Sequence, residues 1–307
     1  MAAKLWEDTV VTALRDAQWM SCKGHALPQT FPPGFVKLDG NAESALGDLL
    51  YSSGERYYLI EVKSGRDEIC SEWLDKDGKY KEKLVYSTLS HLWRELETFA
   101  AQRNSPEKEL ALKSIVQSTS CHHFAYWNEW TVGKFSTGEV VIEPYIAACL
   151  DLFDPDKVPK KSGIRRWNDN LFLLGKETNG EILAGKALSV QKMLSESSRC
   201  FAVATKHGGL HERNSYPIGL PFLEFQEYIN TLTDNAGNGE LDLHAIILSS
   251  SGRVFKSISS TADLRNVLNP DLLEVKSAEQ KLKIIHPSKD GSPRSTTGLQ
   301  KYGSSRS

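Results

Sequence analysis

One short segment constrains the fold of this chain more than any other. In "GDLLYSSGERYYLIEVKSG" (residues 47 to 65) two apolar runs flank a Gly-Glu pair, a pattern that predicts an antiparallel β-hairpin. A two-residue turn at that pair, with glycine first as a type II′ turn requires, places Asp48 directly opposite Glu61. Lys63 follows Glu61 by two residues and, because side chains alternate along a strand, it lies on the same side. The segment therefore predicts two carboxylates and a lysine on one face of a sheet.

These charged side chains need partners. The neighbouring residues of both runs are apolar on either side, which is typical of a central strand covered on both faces. Two carboxylates at that separation repel each other, and a divalent cation is one partner that would hold them together. The alternative is that the group lies at the sheet edge, where Lys63 pairs with Glu61 or Asp48 in solvent.

The tetrapeptide Glu-Val-Lys-Ser occurs a second time, in "NPDLLEVKSAEQ" (269 to 280). There Asp271 and Glu274 are three residues apart, so in a strand they would point to opposite faces, and no hairpin partner stands opposite. In a helix Lys276 would turn away from Glu274. We interpret the second copy as a solvated surface segment, which leaves the first copy as the candidate site.

Helical and strand patterns alternate along the chain. In the first half, helical spacing of apolar residues predicts helices over residues 3 to 20 and 85 to 100, and the runs "CHHFAYWNEW" and "GEVVIEPYIAACL" predict strands. In the second half we expect hairpins across "KETNGEIL" and "LDLHAIILSSSGRVFKSI" and a strand at "CFAVAT". Helices are predicted near residues 186 to 197 and 222 to 233.

These elements predict an α/β fold of the mixed α+β kind. The proline-bearing basic stretch "DPDKVPKKSGIRRW" (154 to 167) marks an expected boundary. We predict a first domain over residues 1–153, an α+β accessory domain over 168–286, and a disordered basic tail over 287–307 that is rich in serine and glycine.

Composition excludes several classes of protein. A formal net charge of -2 argues against a strongly basic nucleic-acid coat protein, so binding to nucleic acid would need a local patch, a metal or a partner. The sequence has no apolar run approaching the roughly 18 residues that span a bilayer, and we expect no membrane association. Five scattered cysteines without a C-x-x-C pair favour reduced thiols and a cytoplasmic location.

The order of these features resembles a known superfamily. A helix carrying an acid, a strand with aspartate, a turn, a strand with Glu-x-Lys, then a helix and a strand are similar to the PD-(D/E)xK phosphodiesterases, which include restriction endonucleases and Holliday-junction resolvases. The resemblance covers residues 3 to about 130 and implies a restriction-endonuclease-like αβββαβ core in the N-terminal half. Gly47 stands where the family pattern has a proline before the aspartate.

The resemblance implies a metal-dependent site. Asp48 and Glu61 would bind Mg²⁺ or Mn²⁺ together with the backbone carbonyl of Val62. Lys63 would orient or help to deprotonate the attacking water, and would stabilise the charge that develops on the phosphorane. Mg²⁺ prefers oxygen ligands and keeps several waters, so two carboxylates and a substrate phosphate suffice to hold it.

An accessory acid and a DNA-binding surface complete what the resemblance implies. Glu7 on the first helix matches the accessory acid, Glu43 competes with it, and Glu7 also fits an ordinary exposed acid favoured by the helix dipole. The basic residues expected to contact DNA, unless they are merely solvated, are Lys81, Lys83, Lys160, Lys161, Arg165 and Arg166.

The expected function is therefore hydrolysis of DNA phosphodiester bonds, in a bacterial defence or repair system. The chain has no phosphate-binding G-x-x-x-x-G-K-[ST] loop, so any ATP-driven step would belong to a partner protein such as a motor or sensor subunit. The alternative is a catalytically inactive nuclease-like protein that binds DNA or a partner protein.

Overall fold

The computed structural model describes eleven stretches of the chain. They are residues 6–22, 35–38, 46–53, 56–98, 106–152, 170–179, 181–194, 198–206, 209–235, 242–248 and 254–260. All of them lie in one compact unit that spans residues 1–268. The second unit, residues 269–307, contains the second Glu-Val-Lys-Ser copy and the predicted tail, and it lies outside the described residues.

The main sheet is mixed and has six strands. Its strands are β1 (Phe35–Lys37), β2 (Leu49–Ser53), β3 (Arg56–Val62), β4 (His122–Val132), β5 (Phe135–Pro144) and β8 (Leu188–Ser189). They lie in the order β1, β2, β3, β4, β5 and β8. β3 and β4 are parallel and every other neighbouring pair is antiparallel. The chain is thus a mixed α/β protein, as predicted.

Helices cover both faces of this sheet. They are α1 (Glu7–Cys22), a 3₁₀ helix (Arg66–Glu72), α2 (Leu84–Thr98), α3 (Pro106–Cys121), α4 (Tyr145–Leu152), α5 (Val190–Met193) and α6 (Phe222–Asn235). Side chains of α2, α3, α4 and α6 form the first apolar core, whereas α1 and α5 contribute to a second core. None of the helices in the described stretches is long and apolar enough to cross a membrane.

Alternation along β3 assigns its side chains to the two cores. Leu59 belongs to the first core, while Tyr58, Ile60 and Val62 belong to the second. Since neighbouring side chains point to opposite faces of a strand, Glu61 lies on the face of the first core. The predicted charged group therefore sits on the face covered by α2, α3, α4 and α6.

The second half adds two smaller sheets. One is antiparallel, with β6 (Asn170–Thr178), β7 (Glu181–Gly185), β9 (Arg199–Lys206) and β10 (Gly209–Pro217) in the order β10, β9, β6, β7. The other is the hairpin of β11 (Asp242–Leu248) and β12 (Val254–Ser260). The predicted hairpins, the strand at "CFAVAT" and the helix near 222 to 233 are confirmed.

Two predictions of secondary structure are wrong. The run "YIAACL", predicted as part of a strand, forms helix α4. In place of the helix predicted near 186 to 197, the described residues 186 to 194 form the short strand β8 and the four-residue helix α5. Five of the eight residues of α4 are buried. A helix with so little polar surface lacks the 3.6-residue alternation that distinguishes a helix from a buried strand.

Parts of the predicted accessory domain pack with the first half. β8 pairs with β5 in the main sheet, and Phe225 and Tyr228 of α6 belong to the first core. The predicted boundary at residues 154 to 167 lies outside the described residues.

β4 and β5 extend beyond the rest of the sheet as a two-stranded ribbon. Within the described stretches, only residues 122 to 125 of β4 pair with β3, while residues 123 to 132 pair with β5. Toward the ribbon tip Trp130, Val132 and Phe135 are exposed, Phe135 to 78%.

Candidate active site

The hairpin has the register predicted from the sequence. Leu49 pairs with Ile60 and Tyr51 with Tyr58, so Asp48, just before β2, continues the same ladder toward Glu61. A carboxylate oxygen of Asp48, Oδ2, accepts a hydrogen bond of 2.5 Å from the backbone N–H of Val62. The Asp48 side chain is thereby fixed beside the end of β3.

Glu61 and Lys63 are buried, and they contact each other. Glu61 is 1% exposed and Lys63 is 4% exposed, with 2.7 Å between Lys63 Nζ and Glu61 Oε1. The alternative in which this pair lies in solvent at a sheet edge is therefore wrong. Two charges in the interior require close partners, because an isolated buried charge is strongly destabilising.

Those partners form a network of two carboxylates and two ammonium groups. Besides Glu61, Lys63 Nζ contacts Glu72 Oε1 at 2.8 Å. Lys83 Nζ lies 2.8 Å from Glu61 Oε1 and 2.9 Å from Glu72 Oε1. Each ammonium group thus bridges the same two carboxylate oxygens. We call Glu61, Lys63, Glu72 and Lys83 the lysine network.

The segment after β3 brings the second acid and the second lysine to the site. Glu72 ends the 3₁₀ helix, and the backbone N–H of Lys83 donates to the Glu72 carbonyl oxygen at 2.8 Å. Between them the chain doubles back, with Lys81 N–H donating to the Trp73 carbonyl at 3.0 Å. The turn is closed by Asp75, whose carboxylate accepts two backbone hydrogen bonds.

Glu72 was not among the residues that the sequence predicted for the site. A signal was present, because Glu72 follows Ile69 by three residues and adjoins Trp73, and both apolar side chains are buried. An acid in an apolar stripe of helical spacing is a candidate for a buried charged group. Lys83 was predicted to contact DNA, and the structure places its ammonium group in the lysine network.

The network shifts the pKa of each member. Burial alone would raise the pKa of Glu61, but the ammonium groups of Lys63 and Lys83 outweigh it and lower the pKa to about 2. Burial and the Glu61 charge raise the pKa of Glu72. Burial disfavours the charge on both lysines, yet the two carboxylates outweigh it and raise their pKa values. Both lysines are therefore protonated at neutral pH.

Aromatic groups hold Glu72 from the other side. The Tyr145 hydroxyl donates to Glu72 Oε2 at 2.7 Å. The Tyr145 ring stacks on Phe124, with ring centroids 4.5 Å apart, and it also contacts His122 at 4.7 Å. His122 Nδ1 lies 2.9 Å from the Tyr228 hydroxyl on α6. Burial lowers the pKa of His122 to about 4, so the ring is neutral at physiological pH.

A second charged network lies two strands away on the same face. Arg66 donates two hydrogen bonds of 2.8 Å to the carboxylate of Glu143 and one of 2.7 Å to Asp151. Tyr126 also donates to Glu143, at 2.8 Å, and Lys186 pairs with Asp151. Glu61, Phe124 and Glu143 are successive partners across β3, β4 and β5, so their side chains share a face. We call this group the arginine network.

Other predicted site residues lie apart from the lysine network or outside the described residues. Glu7 is exposed at the start of α1, whose Val10 and Leu14 pack in the second core on the opposite face from Glu61. Lys81 is exposed. Predicted residues that lie outside the described stretches are Glu43, Lys160, Lys161, Arg165 and Arg166.

The donor atoms of this site suit a hard divalent cation. Asp48 and Glu61 offer carboxylate oxygens, which Mg²⁺ and Mn²⁺ prefer. Gly47 has φ +98°, and a Cβ there would stand 3.3 Å from Glu61 Oε2, so glycine leaves space beside this carboxylate. Among the described residues, no three His, Cys, Asp or Glu side chains are gathered as a ready metal cluster. Phosphate oxygens and water would have to complete the coordination.

Comparison of the chain with protein-family models, with curated proteins and with solved structures found no match.

Proposed function

We propose that this protein is a metal-dependent nuclease that hydrolyses DNA phosphodiester bonds. The observation that carries the proposal is the placement of Glu61 and Lys63 on one face at the end of the central strand β3, with Asp48 opposite in the hairpin register. Three functional groups from two adjacent strands thus converge where a phosphodiester and a cation could meet.

The order of the secondary-structure elements also supports the proposal. Helix α1 is followed by three antiparallel strands, then by helices, and then by β4, which runs parallel to β3. A restriction-endonuclease-like core has this αβββαβ order, with the aspartate and the Glu-x-Lys group on the second and third strands.

The chain's own groups have distinct roles in this reaction. Asp48 and Glu61, with the carbonyl of Val62, would hold Mg²⁺ or Mn²⁺. Such a cation would lower the pKa of a water molecule at the site and would offset the charge of the transition state. Because Glu61 and Glu72 keep Lys63 protonated, Lys63 acts as a hydrogen-bond donor that orients the water and stabilises the phosphorane oxygens. Water attacks phosphorus through its oxygen and loses a proton to solvent, the bond to the leaving sugar oxygen breaks, and that oxygen gains a proton from solvent.

The proposal includes DNA contacts and a protein partner. Lys81 is exposed on the segment next to the site, where it would meet a phosphate backbone. The basic residues of the 154 to 167 stretch would extend that surface. A motor or sensor subunit would supply an ATP-driven step, and the system would operate in the bacterial cytoplasm.

One observation favours a second candidate, a nuclease-like protein that binds DNA or a partner without cleaving DNA. Glu61 and Glu72 are already neutralised by two lysines, so the network is electrically complete without a divalent cation. A binding protein would retain such a network for stability alone.

A cleavage assay separates the two candidates. Labelled linear duplex, circular duplex and single-stranded DNA are incubated with Mg²⁺ or Mn²⁺ and with wild type, Glu61→Gln, Lys63→Met or the control Lys113→Met. Lys113 lies on α3 with a side chain that is 52% exposed, so its loss tests for a general effect of removing a lysine.

The nuclease proposal expects metal-dependent cutting by wild type and by the control, and a loss of about a thousandfold in Glu61→Gln and Lys63→Met. DNA cleavage by Glu61→Gln at the wild-type rate would contradict the nuclease proposal. DNA binding without cutting, in every protein and with either metal, favours the second candidate.

A further inference from the structure

We infer that Lys83 is a displaceable internal cation, and that a divalent metal ion competes with its ammonium group for Glu61 Oε1 and Glu72 Oε1. The inference rests on the metal site of the proposed function and adds Glu72 to the acids that bind the metal. Lys83 would then set how tightly the protein holds metal.

Geometry supplies the first argument. The Lys83 ammonium nitrogen lies 2.8 Å and 2.9 Å from one oxygen of each carboxylate, so it marks a point at which a positive charge faces both acids. Mg²⁺ binds oxygen at 2.0–2.1 Å, so each oxygen would need to move inward by roughly 0.8 Å. Small rotations of two glutamate side chains provide such a movement.

Exposure identifies which lysine would leave. The side chain of Lys83 is 35% exposed, whereas that of Lys63 is 5% exposed. Lys83 can therefore move its ammonium group into solvent, where the charge is hydrated, whereas the side chain of Lys63 is almost completely buried. Lys63 stays between the two carboxylates and keeps the protein's own positive charge at the site.

Chemistry explains why a lysine suits this position. An ammonium group is a compact point charge on a flexible stem, so a metal ion can replace it without matching a planar pattern of hydrogen bonds. The Tyr145 hydroxyl holds Glu72 through Oε2, so the carboxylate keeps one fixed hydrogen bond after Lys83 has moved away. Oε1 would then turn toward the metal ion while Glu72 stays at the site.

The test measures the binding of Mn²⁺ alone to the full chain, by the loss of the free-ion signal in electron paramagnetic resonance. Lys83→Met removes the competing charge and keeps the length of the stem. Lys79→Met is the matched control, since its side chain is 77% exposed and lies 4.0 Å from its nearest acid. Thermal unfolding with and without Mn²⁺ provides a second readout of the same exchange.

We expect Lys83→Met to bind Mn²⁺ at least about tenfold more tightly than wild type, and Lys79→Met to match wild type within about twofold. The Mn²⁺-induced rise in Tm should also be larger in Lys83→Met. Unchanged or weaker binding by a folded Lys83→Met overturns the inference. So does an equal gain in Lys79→Met, because a general loss of positive charge would then explain the result.

Two further variants extend the test, and the first of them, Lys83→Arg, keeps the inference testable even if Lys83→Met does not fold. Lys83→Arg retains the competing charge and should bind Mn²⁺ no more tightly than wild type. Adding Glu72→Gln to Lys83→Met should remove at least most of the gain, since Glu72 is a proposed ligand. A tighter Lys83→Arg, or a double variant that keeps the whole gain, contradicts the inference.

The outcome is distinguishable from that of the nuclease proposal. A gain in Mn²⁺ affinity without DNA cleavage by any protein would support the exchange and favour the second candidate, the protein that does not cleave DNA. Cleavage by wild type with no change in Mn²⁺ affinity in Lys83→Met would do the reverse.

Discussion

The lysine network and the arginine network lie on the same face of one sheet and differ in the shape of their cations. In the arginine network, Arg66 engages both oxygens of Glu143 and also contacts Asp151, a planar fork matched to a carboxylate. In the lysine network, two point charges share one oxygen from each acid. We therefore expect Arg66 to stay bound to its two acids, whereas in the lysine network a metal ion can replace one ammonium group.

The largest expected effects on stability come from two single variants, each of which removes one cation from one of the networks. Lys63→Met leaves two buried carboxylates with one ammonium group and should lower the free energy of unfolding by about 3–5 kcal/mol. Arg66→Met should cost less, about 2 kcal/mol, because Arg66 is 34% exposed, so solvent already screens its charge, and because Asp151 is partly exposed and keeps Lys186 as a partner; of the two acids only Glu143 is fully buried. Urea unfolding at low and high salt measures both. If the two variants lost the same free energy of unfolding at low and at high salt, the two networks would not differ in the way proposed.

A second prediction concerns acidification and uses the adjacent histidines on the two faces of β4. Burial lowers the pKa of His122 to about 4, although the Glu61 charge opposes the shift. Burial and the neighbouring His122 lower the pKa of His123 to about 3. Both values lie below the unfolded value of 6.5, so the unfolded chain binds more protons and stability falls as the pH drops below 6.5.

Between pH 7 and pH 5 we expect a loss of about 2 kcal/mol for each histidine. Urea midpoints of wild type and His123→Leu at the two pH values measure it, and the variant should lose about half as much of this histidine-linked stability. A variant with the full wild-type pH dependence would show that His123 is not buried in its neutral form.

A third prediction probes the space beside Glu61. Gly47→Ala places a Cβ at a backbone φ of +98° and 3.3 Å from Glu61 Oε2, and it should destabilise the fold by about 1–2 kcal/mol. Gly78→Ala is the matched control, with φ +72° and no atom within 4 Å of the added Cβ. If the two variants are equally destabilised, backbone strain alone explains the loss of stability, and the added Cβ does not disturb Glu61.

The smallest expected effect is that of an exposed ion pair. Lys113 and Glu227 contact each other at 2.5 Å between α3 and α6, with side chains 52% and 49% exposed. Lys113→Ala should change the free energy of unfolding by no more than about 0.5 kcal/mol, and added salt should reduce the difference. A loss comparable to that of Lys63→Met would mean that burial does not decide the strength of charge pairs in this protein.

The hairpin could be predicted from the sequence because its geometry is local. A short turn fixes the register and alternation fixes the face, so Asp48, Glu61 and Lys63 were assigned correctly to one side of a sheet. Burial of the pair was favoured by the apolar neighbours and is confirmed. No longer-range information was needed for either inference.

The way in which the rest of the site comes together could not be predicted, because it depends on contacts distant in the sequence. For Glu72 the sequence carried a signal of burial, its position in an apolar stripe, but no indication of its partners. Glu72 and Lys83 reach the network through a 3₁₀ helix and a doubled-back segment whose path no periodic pattern specifies. Tyr145, which holds Glu72, begins a helix whose nearly continuous apolar sequence was interpreted as a strand. Sequence patterns thus predicted the strand residues of the site and missed those supplied by the surrounding layers.

The two-stranded ribbon has a consequence for the lifetimes of backbone hydrogen bonds. Residues 123 to 125 of β4 pair with both β3 and β5, whereas in the described stretches residues 126 to 132 pair with β5 alone. Amide hydrogens beyond Ala125 should therefore exchange with solvent through local opening of the ribbon, while those of His123 and Phe124 should require opening of the sheet. The amide hydrogens of β4 would then fall into a slowly exchanging and a rapidly exchanging group, and the slowly exchanging group would end beside Glu61.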